Sequence, residues 1–139
     1  MAAERGLVMR LPPAQTRTRR AHETAAFARA EGAFERAHVA LFRAFFEHGL
    51  DLDDSEVLAT VVHEAGLDRE QLRLALGTRA FAEIVDADVA LAARLRIRSV
   101  PVMIVADGAG RGEPVLGAVG FELLEAAINR ALARQEIGG

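Results

Sequence analysis

The stretch Ser99-Val100-Pro101-Val102-Met103-Ile104-Val105 decides the fold, because a continuous apolar run is entered here through a proline. Its β-branched residues favour a strand, and an unbroken apolar run is typical of a strand that is covered on both faces. The glycine-rich segment Asp107–Gly112 is a strong turn signal, and the apolar stretch Pro114–Val119 follows it. Together these segments predict a hairpin.

Helices are predicted on both sides of this hairpin. Upstream, apolar residues recur with a period of 3.6 between capping residues, which predicts helices over residues 19–31, 33–48, 69–76 and 78–95. The last of these is expected to begin at an N-cap on Thr78. A further helix is predicted to follow an N-cap at Asp53 or Asp54 and to end at Ala65. Downstream, a final helix is predicted from Gly120 to about Gln135, with an inward face formed by Phe121, Leu124, Ala127, Ile128, Ala131 and Leu132. The short run Leu7–Leu11, stopped by two prolines, predicts an N-terminal strand at a sheet edge or a sheet terminus.

The composition excludes several kinds of chemistry. The 139 residues include no cysteine, and thiol–disulfide exchange requires a thiolate, so the chain cannot perform that reaction by itself. Every strong cation is an arginine, so a lysine Schiff base and a P-loop lysine are excluded as well. The formal net charge of -3 gives no electrostatic reason to bind nucleic acid or an anionic membrane.

The sequence also bears on location. The N-terminus lacks the apolar run of a signal peptide, and no stretch is long and apolar enough for a membrane span. We therefore expect a cytoplasmic protein that has no membrane partner.

No candidate catalytic residue or metal site emerges from the polar residues. The four histidines lack the spacing of a zinc site, and His38 belongs to an apolar helical stripe. The aspartates Asp51, Asp53 and Asp54 do not follow the ligand order of a calcium loop, so helix capping explains them. Neither serine lies in a nucleophile elbow. The sequence predicts no cofactor.

Two blocks of sequence carry a family resemblance. Asp88–Val105, followed by Leu116-Gly117-Ala118, resembles the C-terminal half of the DsbA-like thioredoxin-domain proteins, in particular the FrnE-type oxidoreductases. Ala40–Gly49, continued by Asp53–Ala59 and Glu64–Asp68, is similar to the helical insertion of FrnE-type proteins. The resemblance implies an α/β class, as an incomplete thioredoxin-like fold with a helical insertion domain, mostly helical with a short sheet.

The resemblance also implies a division of the chain into three parts. Residues 1–18 would form an N-terminal strand and linker, and residues 19–78 the helical insertion domain. Residues 79–139 would form the C-terminal thioredoxin half, with its proline loop, hairpin and last helix. The first strand and the cysteine-bearing helix of the family have no counterpart in this sequence.

In the family, the loop that matches Ser99, Val100 and Pro101 has a cis proline, and its backbone pairs with an extended substrate. The resemblance therefore implies a peptide- or glutathione-binding site at these three residues, with a trans proline at the start of an edge strand as the alternative. The family activity is protein-disulfide oxidoreduction. Because the Cys-X-X-Cys unit is absent, we expect a redox-inactive module for binding or assembly.

An incomplete thioredoxin-like fold leaves a strand edge and a helix face uncovered, which favours association. The expected partner is a second copy of the chain or another chain that completes the fold. The alternative reading is a glutathione-binding protein that resembles glutathione transferase kappa or hydroxychromene-carboxylate isomerase. A third reading, a fragment of a longer protein, also stays open.

Overall fold

The computed structural model describes residue 6, residues 9–10 and residues 17–137 of the chain. This described part contains six helices and one two-stranded sheet. The helices and strands, in chain order, are α1 Arg19–Ala30, α2 Phe34–Phe46, α3 Ser55–Glu64, α4 Arg69–Gly77, α5 Ala82–Arg94, β1 Val102–Ala106, β2 Gly112–Leu116 and α6 Phe121–Ile137. The chain forms two compact units, of which the first extends to Val89 and the second begins at Ala90. The predicted class, mostly helical with a short sheet, is confirmed.

The first unit is a small helical domain around an aliphatic and aromatic core. Aspartates start two of its helices: Asp54 accepts a hydrogen bond from the Glu56 N–H at 2.8 Å, and Asp68 accepts from Glu70 N–H at 2.8 Å. Such caps satisfy amide groups that lack partners inside the helix. The buried side chains of the core are Ala21, Phe27, Leu41, Ala44, Leu52, Leu58, Val61, Val62 and Leu72.

The first unit differs from the prediction at the start of α5. Thr78 was predicted as an N-cap, but its hydroxyl donates to the Leu74 carbonyl at 2.8 Å and so belongs to the end of α4. Arg79 follows with a φ of 55°, and the Ala80 N–H returns to the Ala75 carbonyl at 2.9 Å. This pattern is a Schellman ending with arginine in the left-handed position that glycine usually occupies. The prediction that a helix begins at Thr78 is therefore wrong, and α5 begins at Ala82.

The second unit contains the last residues of α5, the proline loop, the predicted hairpin and the helix that follows it. The strands β1 and β2 pair antiparallel, with Val102 opposite Leu116 and Ala106 opposite Gly112. A Cβ added at Gly112 would lie 2.8 Å from Cγ2 of Ile104, so the strand pairing needs glycine there. Helix α6 packs on both strands, and Arg130 donates to Glu113 on β2 at 2.7 Å.

One face of this sheet is covered and the other is open. Residues Met103, Val105, Glu113 and Val115 are half-buried, whereas Ile104 and Leu116 are 48% and 65% exposed. The prediction that the strand is covered on both faces is therefore wrong, because a single helix packs on this two-stranded sheet within the second unit.

The inward face predicted for α6 is correct only in part. Ala127 and Ala131 are buried, but three of the six predicted residues are exposed, namely Phe121 at 71%, Ile128 at 42% and Leu132 at 53%. The buried positions of α6 are thus alanines, whereas most of its larger apolar residues are exposed and Leu124 is half-buried.

Most of the N-terminal strand predicted over Leu7–Leu11 lies outside the described residues. Met9 and Arg10, which are described, have no strand structure. The Arg10 N–H instead donates to the Phe46 carbonyl at the end of α2, at 2.6 Å. The three-part domain division predicted from the sequence stays a prediction.

Asp107 holds the hairpin turn together. Its side chain is 1% exposed. One carboxylate oxygen, Oδ1, accepts from the N–H groups of Arg111 at 2.9 Å and Ala109 at 3.0 Å. The other, Oδ2, accepts from Nε of Arg111 at 2.9 Å. The N–H of Arg111 is the main cause of a lowered Asp107 pKa, which burial opposes.

We predict that acid destabilises the second unit through this carboxylate. Because folding lowers the pKa of Asp107, its contribution is present above the unfolded value of 3.8 and is lost as the pH falls through the folded pKa. Urea unfolding followed by circular dichroism at neutral pH and at pH values below the unfolded pKa measures this loss. Asp107→Asn should be less stable than the parent at neutral pH and should lose less stability on acidification. An equal loss in both proteins would contradict this assignment.

Candidate functional site

The chain enters the proline loop through an arginine with left-handed backbone. After α5 ends, the N–H of Arg96 returns to the Ala93 carbonyl and the N–H of Ile97 returns to the Ala92 carbonyl, each at 3.0 Å. The φ of Arg96 is 54°. This is a second Schellman ending without glycine, and it turns the chain out of the helix toward Ser99.

The loop itself is open to solvent. Ser99, Val100 and Pro101 are all exposed, and Val100 is 88% exposed. The peptide bond between Val100 and Pro101 is cis. The Pro101 carbonyl accepts from the Gly117 N–H at 2.9 Å, so the β1–β2 ladder extends one residue beyond the strand. Within the described part of the chain, the N–H and carbonyl of Val100 make no hydrogen bond, which leaves them accessible.

The direction of the backbone groups along β1 follows from the ladder. In an antiparallel pair, residues with hydrogen bonds to the partner strand alternate with residues whose N–H and C=O point away. Pro101 and Asp107 both bond across the hairpin, to Gly117 and Arg111. By this alternation Val102, Ile104 and Ala106 direct their backbone groups away from β2, toward the outer edge of β1. No described strand pairs with that edge.

The two edges of the sheet differ in character. On β2 the same alternation turns Gly112, Pro114 and Leu116 outward, and Pro114 has no N–H to donate. Glu113 adds a charge to that strand. On β1 the sequence Val102–Ala106 has neither charge nor proline. In natural proteins, proline and charged side chains keep an edge strand from pairing with another chain. Strand β2 has both features, and β1 has neither.

Three arginines line the approach to the loop. All three are exposed: Arg94 is the last residue of α5, and Arg96 and Arg98 lie in the segment that connects α5 to Ser99. No role was predicted for them from the sequence, although their spacing at every second residue is a visible signal there. They give the entrance of the loop a positive charge, which favours a ligand that carries a carboxylate.

The basic residues near the N-terminus have structural roles instead. Arg19 pairs with Glu23 at 3.1 Å and with Asp86 at 2.8 Å. Arg20 donates to the Asp53 carbonyl at 3.0 Å. These contacts tie α1 to its neighbours in the first unit.

The cavities in the first unit are separate from the loop residues. A groove of about 650 Å³ lies between α2 and α3, and its lining includes Arg36, Val39, Glu56 and Glu64. A second cavity of about 220 Å³ is mostly apolar and is bordered by His22 and His38. The His38 ring stacks on Phe34 at a centroid distance of 5.1 Å. Neither cavity includes Ser99, Val100 or Pro101.

The described residues contain no group of three His, Asp or Glu side chains placed to hold a metal ion. None of the helices in the described part has the length and apolarity that a membrane crossing requires. The arrangement at the loop and the β1 edge offers backbone donors and acceptors, and its side chains include no nucleophilic thiol. Backbone donors and acceptors of this kind are the groups through which an added strand pairs with a sheet edge.

The comparison with family models agrees with the fold. A search of curated proteins gives no significant match. The model of the DSBA-like thioredoxin domain matches residues 1–129, which is most of the chain. The helical first unit, the proline-entered strand, the hairpin and the closing helix are thus explained together, and the chain belongs to the DSBA-like thioredoxin domain family.

Proposed function

We propose that this chain is a redox-inactive, FrnE-like member of its family that acts in the cytoplasm as a binding or assembly module. The site consists of the loop Ser99, Val100 and Pro101 and of the outer edge of β1. The observation that carries the proposal is the row of backbone groups on Val102, Ile104 and Ala106, with which no strand among the described residues pairs. An extended strand that adds to this edge satisfies those groups and extends the sheet.

The absence of cysteine argues for binding rather than catalysis. Exchange of a disulfide requires a thiolate that attacks sulfur, and this sequence supplies none. We expect no acceleration of insulin-disulfide reduction by dithiothreitol when the purified chain is added. A family member with an intact Cys-X-X-Cys is the positive control. Acceleration by the cysteine-free chain would overturn the proposal of a redox-inactive module.

Strand addition is tested with a peptide of alternating threonine and valine as the probe. The expected result is a set of NMR amide shifts concentrated on Val102, Ile104 and Ala106, with smaller shifts on β2. Shifts spread over the helices of the first unit, or no shifts at millimolar peptide, would contradict a binding site at this edge.

Glutathione is the second candidate ligand. The observation in its favour is the exposed row Arg94, Arg96 and Arg98, because glutathione carries two carboxylates and an extended peptide backbone. Isothermal titration with glutathione distinguishes the two candidates. Binding that is lost in Arg96→Ala would favour glutathione, and no heat at millimolar ligand would remove it.

A further inference from the structure

We infer that the strand that pairs with the outer edge of β1 is β1 of a second copy of this chain. This inference rests on the proposed function, since it takes the edge to be a pairing site, and it names the partner. It concerns the second unit alone, where the hairpin and α6 form one compact body.

The register of β1 is self-complementary. Its three outward-facing residues, Val102, Ile104 and Ala106, are spaced evenly about Ile104 in a strand of five residues. When two such strands pair antiparallel about a two-fold axis at Ile104, Val102 lies opposite Ala106 of the other copy. Ile104 then lies opposite itself, and each outward N–H meets an outward carbonyl. All of the outward groups of β1 find partners in this one register.

The charge of the strand agrees with self-pairing. Val102–Ala106 contains no charged residue, so two copies of β1 bring no like charges together. If β2 paired with itself about Pro114 in the same way, Glu113 would lie opposite Val115 of the other copy, and the two Glu113 side chains would be diagonal neighbours on one face. Repulsion between like charges therefore disfavours self-pairing of β2, and no such repulsion opposes self-pairing of β1.

The other edge makes the assembly finite. Pro114 interrupts the row of donors on β2, so the four-stranded sheet β2–β1–β1–β2 ends at a proline on both sides. The two-fold axis is perpendicular to the sheet, because opposite residues of an antiparallel pair project to the same face. The exposed face that carries Ile104 and Leu116 then becomes continuous across the two copies.

The first test is the oligomeric state and its response to proline. Sedimentation velocity at micromolar concentration should give a dimer. Ile104→Pro removes a donor that points away from β2, so the β1–β2 ladder is retained. Two hydrogen bonds are lost by symmetry, and we expect the dissociation constant to rise at least about thirtyfold. Leu116→Pro is the matched control, because it removes an outward donor from the opposite edge and should leave the dimer intact.

The second test does not depend on the folding of a proline variant. Because the chain has no cysteine, Ile104→Cys places one thiol in each copy. Residues opposite each other in a hydrogen-bonded pair have Cα atoms about 5.5 Å apart, within the range that a disulfide spans. Mild oxidation should give a covalent dimer of Ile104→Cys and leave Leu116→Cys, a comparably exposed position on β2, mostly monomeric.

The outcomes separate this inference from the proposed function. A wild-type monomer that binds the threonine–valine peptide at Val102, Ile104 and Ala106 overturns the inference and leaves the proposed function standing. A monomer that does not bind the peptide overturns both. A dimer that survives in folded Ile104→Pro, or equal cross-linking of the two cysteine variants, overturns the inference.

Discussion

Replacing Phe27 by alanine is expected to lower the free energy of unfolding of the first unit by about 3–5 kcal/mol. Phe27 is 4% exposed, and its ring meets that of Phe81 edge to face at a centroid distance of 5.9 Å. The loss combines the burial of the removed ring, the cavity that remains and the lost aromatic contact. Urea unfolding followed by circular dichroism measures it.

Phe42 provides the matched control for this substitution. It lies on α2 in the same unit but is 53% exposed, so Phe42→Ala removes the same side chain from a position that water already reaches. We expect a much smaller loss than in Phe27→Ala. Comparable losses in the two variants would show that the ring of Phe27 is not a principal part of the core.

Replacing Ala127 by aspartate is expected to unfold the second unit. Ala127 is fully buried on α6, the helix that packs on the hairpin. A carboxylate at this position would be removed from water, and the native packing has not placed a cation or hydrogen-bond donor to pair with it. An unpaired buried charge is among the most destabilising single changes. Amide hydrogen exchange, read residue by residue, should show loss of protection from Val102 to Leu116 and along α6.

The control for this variant is Asn129→Asp, at an exposed position on the same helix. It introduces the same carboxylate at a site that stays hydrated, so protection in the hairpin should be retained. Full protection in Ala127→Asp would contradict the packing of α6 on the strands.

Much of this fold could be predicted from residues whose effect is local. Gly32, Gly49 and Gly66 end helices with positive φ, as their type predicts. Asp54 and Asp68 cap the helices that follow them, because a short carboxylate reaches the free amides of the first turn. The hairpin is also confirmed, since its turn depends on a glycine-rich segment anchored by Asp107.

The errors arise where the outcome depends on distant parts of the chain. Arg79 and Arg96 take the place of glycine at helix ends, and an arginine gives no sequence signal for left-handed backbone. The apolar run of β1 predicts a buried strand, but burial depends on what packs on each face, and Ile104 remains half in solvent. Similarly, the period of α6 identifies its apolar residues without showing that the alanines, and not the larger side chains, are the buried ones.

The residues of the proline loop could be identified from the sequence, but the structure around them could not. Ser99, Val100 and Pro101 follow from the resemblance of the strand and its proline, and the structure places them on an exposed loop. The unpaired edge of β1 follows only from the register of the hairpin, which a single sequence does not specify to the residue. The position of the three arginines directly before the loop becomes apparent only from the structure, in which α5 ends at Arg94.

Because the edge of β1 is uncharged, we expect the solubility of this protein to depend on whether another strand is paired with that edge. A short apolar strand without proline or charge is a template for aggregation whenever its backbone groups are free. When a specific strand pairs with the edge, its backbone groups are no longer free, so the bound protein should aggregate less than the unbound protein. If the edge is filled as we propose, loss of the added strand is expected to lower the solubility of the protein before it changes the fold.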